Sequence, residues 1–177
     1  SGHISAVGYE LYLKLIEQAV AELKGEKWEE DITPEINWNI TAFLPEGYVT
    51  DTDVRLNLYR RLSGIREKPY LSAIREEMLD RFGPAPIEAD NLLSLMSIRL
   101  LLKKAGISKL EVERRSLTLT FSPSSDVDAD KIVRIVSREP HKYMLIPQNR
   151  VIINMSVPQP PGCFDKIEKA IEDLVSV

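Results

Sequence analysis

The chain has 177 residues, an apolar fraction of 44% and a formal net charge of -4 with a pI near 5.3. That length fits one domain, or one domain with a packed extension, and the acidic balance argues against a dedicated duplex-DNA or RNA binder, which carries a clear positive excess. The single cysteine, Cys163, excludes a disulfide framework and a Cys-based zinc site and suits a reducing intracellular compartment, so the expected location is cytoplasmic.

The first dozen residues, Ser1 to Tyr12, carry no initiator Met and no signal peptide, and a helical pattern starts almost at once, as if cut from a longer chain. Ile4, Val7, Leu11, Leu15, Ala19 and Leu23 recur every three or four residues, which predicts a helix closed by Gly25. A polar linker, Glu26 to Thr33, follows. Ile36, Trp38, Ile40 and Ala42 then alternate with Asn37, Asn39 and Thr41, the period of a half-buried strand. Leu44-Pro-Glu-Gly47 turns the chain.

Asp51-Thr-Asp53 is placed to cap a second helix bearing Leu56, Tyr59 and Leu62 and ending at Gly64. Pro69 suits the first turn of a third, with Leu71, Ile74, Met78 and Phe82 on its core face and Gly83-Pro84 as its stop. From Pro86 a fourth helix is apolar on more than one face (Leu92, Leu93, Leu95, Met96, Ile98, Leu100, Leu101, Leu102), which predicts deep burial up to Gly106. Its apolar run from Ile98 to Leu102 is broken by Arg99, so no segment reads as spanning a membrane.

The second half changes style. Ile107 to Glu113 and Leu117 to Phe121 predict a hairpin around Arg114-Arg115-Ser116. Ser125-Asp126 is expected to cap a helix bearing Ile132, Ile135 and Val136, stopped by Pro140. Tyr143 to Ile146 and Val151 to Met155 predict a second hairpin around Pro147-Gln-Asn149. A last helix runs from about Pro161 with Phe164, Ile167, Ile171 and Leu174 inward. The order α-β-α-α-α-β-β-α-β-β-α, a helical first half followed by two hairpins with interspersed helices, implies an α+β fold with an antiparallel or mixed sheet.

Catalytic signatures are absent from the sequence. It has no Gly-x-x-x-x-Gly-Lys-Ser/Thr, no G-x-G-x-x-G after a strand and no G-x-S-x-G elbow. His3 and His141 lack a second His or Cys at metal spacing. A helix N-terminus can activate a thiol such as Cys163, but no partnered His is suggested, which favours a small part-buried residue. No catalytic, cofactor or metal residue is therefore assigned. Two basic clusters, Arg55, Arg60, Arg61, Arg66 and Lys68, and Arg114-Arg115, could touch phosphates, or could simply pair with acids or water.

The most distinctive stretch is Glu76-Glu-Met-Leu-Asp-Arg-Phe-Gly-Pro84. On a helix at about 100° per residue, Glu77 and Asp80 leave from the side opposite Leu71, Ile74, Met78 and Phe82. Two carboxylates near a helix C-terminus oppose its dipole and are expected to stabilise nothing locally. They form either a solubilising face or an acidic docking patch for a basic partner, and the first is the commoner use of exposed helix charge.

The segments Ser1 to Tyr12, Asp53-Val-Arg-Leu-Asn-Leu-Tyr-Arg-Arg-Leu62, Glu77-Met-Leu-Asp-Arg-Phe-Gly83 and Leu102-Lys-Lys-Ala-Gly-Ile-Ser-Lys109, in that order, resemble the C-terminal domain of the bacterial transcription-repair coupling factors (Mfd). The resemblance covers essentially the whole chain, with agreement of pattern rather than of words after Glu111. It implies a parent that is an ATP-driven translocase on duplex DNA, which displaces stalled RNA polymerase and recruits UvrA. ATP and Mg would belong to the parent's motor domains, with no cofactor in this part and no membrane partner. Residues 1–25 would lead from the motor, and 26–177 would be a single regulatory domain. It would fold back on the UvrB-like module and mask UvrA access, restraining recruitment without catalysis of its own. The resemblance makes Glu77 and Asp80 interface carboxylates, with Arg81 in the same motif. The alternative is a nucleic-acid-binding accessory domain using the second helix and first hairpin.

Overall fold

The computed structural model describes residues 15–16, 18–25 and 33–175. Of the expected N-terminal helix, residues 15–16 and 18–24 are helical and Gly25 turns at φ 67°. Its earlier part, with His3, Ile4, Val7 and Leu11, and the linker up to Ile32 lie outside the described residues. The elements that follow are β1 (Glu35–Asn37), α1 (Thr52–Ser63), α2 (Lys68–Phe82), α3 (Ile87–Lys104), β2 (Ile107–Val112), β3 (Ser116–Phe121), α4 (Ala129–Arg138), β4 (Tyr143–Ile146), β5 (Arg150–Asn154) and α5 (Phe164–Val175). The fold class is α+β, as expected from the sequence.

The described residues divide into two compact units. One holds Ile40–Leu100 with the N-terminal helical residues, and the other holds residues 33–39 and 101–175.

In the first unit, α1 begins where an aspartate can accept its free N–H groups: Asp51 Oδ1 accepts from the Val54 amide at 2.9 Å. Its inward face buries Leu58, Tyr59 and Leu62. The Tyr59 hydroxyl is satisfied by the Leu44 amide at 2.8 Å, which lets the ring sit 3% exposed. α2 buries Leu71, Ile74 and Met78 and stops at Gly83, which takes φ 83° and ψ -167°. That combination is open essentially to glycine alone. α3 buries Leu92, Leu93, Leu95, Met96 and Ile98, all 3% exposed or less, on more than one face. Truncating Leu92 to Ala costs about 2–5 kcal/mol on that basis. Arg75 on α2 makes an ion pair with Asp90 on α3.

In the second unit the strands form one mixed sheet, β1-β2-β3-β5-β4, parallel between β1 and β2 and antiparallel elsewhere. Leu117, Leu119 and Phe121 are buried while Ser116, Thr118 and Thr120 are half-exposed, so the period-two reading of this strand holds. On β2 the buried residues, Ile107 and Leu110, are three apart because the register shifts between Ile107 and Lys109. α4 lies against β4 and α5, and α5 buries Phe164, Ile167, Ala170, Ile171 and Leu174.

Four boundaries differ from expectation. The strand expected from Ile36 to Ala42 pairs only over Glu35–Asn37. Burial still alternates through Ala42, so the pattern reported burial, whereas a strand also needs a neighbour to bond. Past Asn37 the chain leaves the sheet, and the Trp38 ring sits 5.1 Å from that of Phe164. Helix α4 is capped by Asp128, whose Oδ1 accepts from the Lys131 amide at 3.1 Å, and not by Ser125-Asp126. The Ser125 hydroxyl instead donates to the Ala105 carbonyl, twenty residues back, at 3.3 Å and accepts from the Val127 amide at 3.3 Å. α5 starts at Phe164 rather than Pro161, with the Cys163 carbonyl accepting its first backbone bond from Ile167 at 2.9 Å. β5 starts one residue early, at Arg150, because Gln148 and Asn149 turn at φ 68° and 55°.

Candidate functional site

The Glu77–Gly83 stretch closes α2 and its side chains form a linked set. Glu77 lies six residues before the Gly83 stop, on the side of α2 that meets Arg61 at the end of α1. Both of its oxygens are engaged. Arg61, in the last turn of α1, donates Nη1 to Oε1 at 2.9 Å and Nη2 to Oε2 at 2.5 Å, a two-pronged contact. Arg81, one turn further along α2, donates Nη1 to Oε1 at 2.7 Å. These bonds, from Arg61 first and Arg81 second, hold the Glu77 carboxyl at about 2, well below its ordinary 4.5. The same contact raises the Arg61 guanidinium above its ordinary value.

The set continues beyond the carboxylate. The Arg81 guanidinium lies 4.9 Å from the centre of the Phe82 ring, and Phe82 meets Tyr48 edge-on at 5.8 Å. The Tyr48 hydroxyl donates to the Gly83 carbonyl at 2.8 Å, and burial raises its pKa. Phe82, expected in the core, is half-buried and packs on Tyr48.

Asp80 behaves differently. It is exposed and has no hydrogen bond or ion pair among the described residues. Leu79 beside it is 57% exposed. The expected placement opposite the α2 core face holds for Asp80, whereas Glu77 is half-buried beside that face and reaches Arg61 on α1. The expectation that both stabilise nothing locally is overturned for Glu77, which bridges two helices. Sequence reasoning missed Arg61 and Tyr48 as members of this set. The Glu77–Arg81 spacing of four was a readable signal for one ion pair; nothing local announces Arg61, sixteen residues away.

The basic alternative loses cations to internal work. Arg55 donates Nη1 to the Val49 carbonyl at 2.8 Å, sits 3.7 Å from Glu46 and is only 15% exposed. Arg61 is committed to Glu77. Arg60, Arg114 and Arg115 are exposed, and the last two belong to the other unit. Arg66 and Lys68 are also exposed. His141 is exposed, and its carbonyl accepts from Asn154 Nδ2 at 3.1 Å. Cys163 is fully buried and its thiol pKa is raised by that burial, the opposite of helix-terminus activation. Among the described residues no three His, Cys, Asp or Glu side chains group as a metal site, and no helix is long and apolar enough to cross a membrane.

These features define a small α+β module with a structured, charge-bearing helix end. Residues 38–132 match the TRCF domain family, and the chain belongs to that family. Among curated relatives it is similar to the transcription-repair-coupling factor of Rickettsia prowazekii (strain Madrid E), 34% identical over 86% of this chain and 14% of that one. The factor of Myxococcus xanthus is 31% identical over 96% of this chain and 14% of its own length. That of Escherichia coli (strain K12) is 31% identical over 82% and 13%. The chain thus spans about 14% of the length of these relatives. Its fold is shared with a crystal structure of the C-terminal domain of transcription-repair coupling factor, with a TM-score of 0.66 at 17% identity, covering 81% of this chain and 94% of that one.

Proposed function

We propose that this chain is the C-terminal regulatory domain of an ATP-dependent DNA translocase that couples transcription to nucleotide excision repair, and that in the resting protein it masks the UvrA-binding module. In this reading the domain has no catalysis or cofactor of its own. ATP and Mg, RNA polymerase and duplex DNA are handled by the rest of a cytoplasmic parent. Residues 1–25 lead in from the motor and 26–177 form the regulatory part. UvrA is affected by competition for the UvrB-like module of the same chain.

Family membership supports the parent. The observation offered in support of the masking is Asp80, an exposed carboxylate near the C-terminal end of α2 with no hydrogen bond or ion pair among the described residues. Exposed ion pairs contribute about 0.2–1 kcal/mol each. A few of them make a latch that tips a closed–open equilibrium and yields when polymerase and DNA bind elsewhere. The test compares UvrA binding by the full-length protein with that of a form lacking residues 26–177. The reading predicts tighter binding after deletion, and equal affinities contradict it.

A further inference from the structure

We propose that the N-terminal helix docks through Leu15, Ala19 and Leu23 on an apolar surface of the module that precedes it in the parent chain. This rests on the reading that residues 1–25 lead in from that module. It makes the lead-in a fixed strut rather than a loose tether.

The helix is only half covered. Residues 15–16 and 18–24 are helical, and Gly25 ends the run at φ 67°. At about 100° per residue, Leu15, Ala19 and Leu23 fall within about 80° of one another, and Ile16 and Val20 widen the apolar arc to about 140°. Ile16 and Val20 are half-buried. The rest of the arc is open: Leu15 is 55% exposed, Leu23 is 83% exposed, and Ala19 between them is exposed. A helix in a folded protein draws most of its stability from burying its apolar face. This stripe therefore calls for a wall that no described residue supplies.

The sequence points upstream for that wall. The spacing of three or four continues backwards through Leu11, Val7 and Ile4, so the apolar pattern runs toward the preceding module. The segment also belongs to the relatives. The Myxococcus xanthus factor matches 170 residues, 96% of this chain, too many to leave out residues 15–24, and that match is 14% of its own length. The family domain itself begins only at residue 38. A covalently joined neighbour also meets the stripe at high effective concentration, ahead of any free partner.

A second copy fits the stripe less well. From Val7 to Leu23 the spacing is four at every step, which drifts round the helix by about 40° each time, whereas a two-helix seam alternates three and four. A lipid surface fits less well too. Between Leu11 and Gly25 the charged residues are Lys14, Glu17, Glu22 and Lys24, balanced in sign, where an interfacial helix carries a Lys/Arg surplus. The occupant this selects is an apolar protein surface with little charge around it.

Hydrogen exchange of the amides of residues 15–24, read by mass spectrometry, tests this in the full-length parent and in the 177-residue chain. Exchange in the parent is expected to be slower by about tenfold or more, since burying even one leucine is worth that factor. Leu15→Gln/Leu23→Gln keeps helix propensity and removes the stripe. It is expected to bring the parent to the rate of the 177-residue chain while leaving that chain's Tm unchanged. Equal rates in the two unsubstituted proteins overturn the proposal, as does protection in the parent that survives the double substitution. A fall in Tm of the substituted 177-residue chain also overturns it, because the stripe would then be packed within the chain. Protection in the 177-residue chain that rises with its concentration assigns the stripe to a second copy and overturns it too. None of these measurements involves UvrA, so the masking can fail in the deletion test while the strut stands, and the reverse.

Discussion

The Tyr48 hydroxyl donates to the Gly83 carbonyl at 2.8 Å, tying the loop before α1 to the turn that ends α2. Thirty-five residues apart in sequence, the two groups meet because Gly83 takes a backbone conformation that turns its carbonyl out of the helix direction. Tyr48→Phe keeps the ring edge on Phe82 and removes only the hydrogen bond. It should cost about 1 kcal/mol and lower Tm by about 2–4 °C, read by thermal unfolding.

Gly83→Ala separates backbone strain from crowding. No heavy atom lies within 4 Å of the position its Cβ would take, so space is available. The φ of 83° with ψ -167° remains hostile to a side chain, and the substitution should destabilise by about 1–3 kcal/mol. Denaturant midpoints of the two proteins measure it.

Gly106→Ala combines both penalties. Gly106 has φ 65°, and a Cβ there would stand 2.3 Å from the Ser125 hydroxyl oxygen and 3.0 Å from the Ser125 Cα. It should be more damaging than Gly83→Ala. Adding Ser125→Gly should recover only part of the loss, since the backbone strain and the close Cα persist, while the Ser125 bond to the Ala105 carbonyl is gone. Chemical denaturation of the single and double variants gives the ordering.

The Glu77 clamp sets an acid dependence. Its folded-state pKa, about 2, lies below the ordinary 4.5, so its contribution is fully present above about 4.5 and is lost as pH falls toward 2. Glu77→Gln should therefore be less stable than the parent chain at pH 7, by about 1 kcal/mol for a part-exposed, solvent-screened set of ion pairs. The difference should close between pH 4.5 and 2 and shrink with added salt. Unfolding curves across that range test it.

Cys163 should react slowly with alkylating reagents in the folded chain, because it is fully buried and its thiol is held protonated by burial. Mass spectrometry should show rapid labelling only after denaturation.

The sequence made most of the fold legible because periodicity reports burial directly. Leu117, Leu119 and Phe121 on β3, and Leu71, Ile74 and Met78 on α2, fall where their spacing put them. The misses share a cause in contacts distant in sequence. Trp38 and Ile40 alternate like strand residues, but the pairing with β2 ends at Asn37, opposite Glu111, where the chain leaves the sheet. Ser125 looked like a helix cap, and its oxygen was instead used at Ala105, twenty residues away. At the candidate site, helix spacing placed Glu77 and Asp80 outside the core face. It was silent on Arg61, which occupies the Glu77 carboxylate, while Asp80 has no such bond among the described residues. Composition and motifs alone pointed to no function. The quoted segments did, and family membership followed.

The most direct test of the central claim is a binding titration of the 177-residue chain against the isolated UvrB-like module of the same parent, at low and moderate salt, with Asp80→Asn alongside. The account predicts weak, salt-sensitive binding that Asp80→Asn abolishes or reduces several-fold while the fold stays intact. Binding that is indifferent to both salt and Asp80 contradicts it.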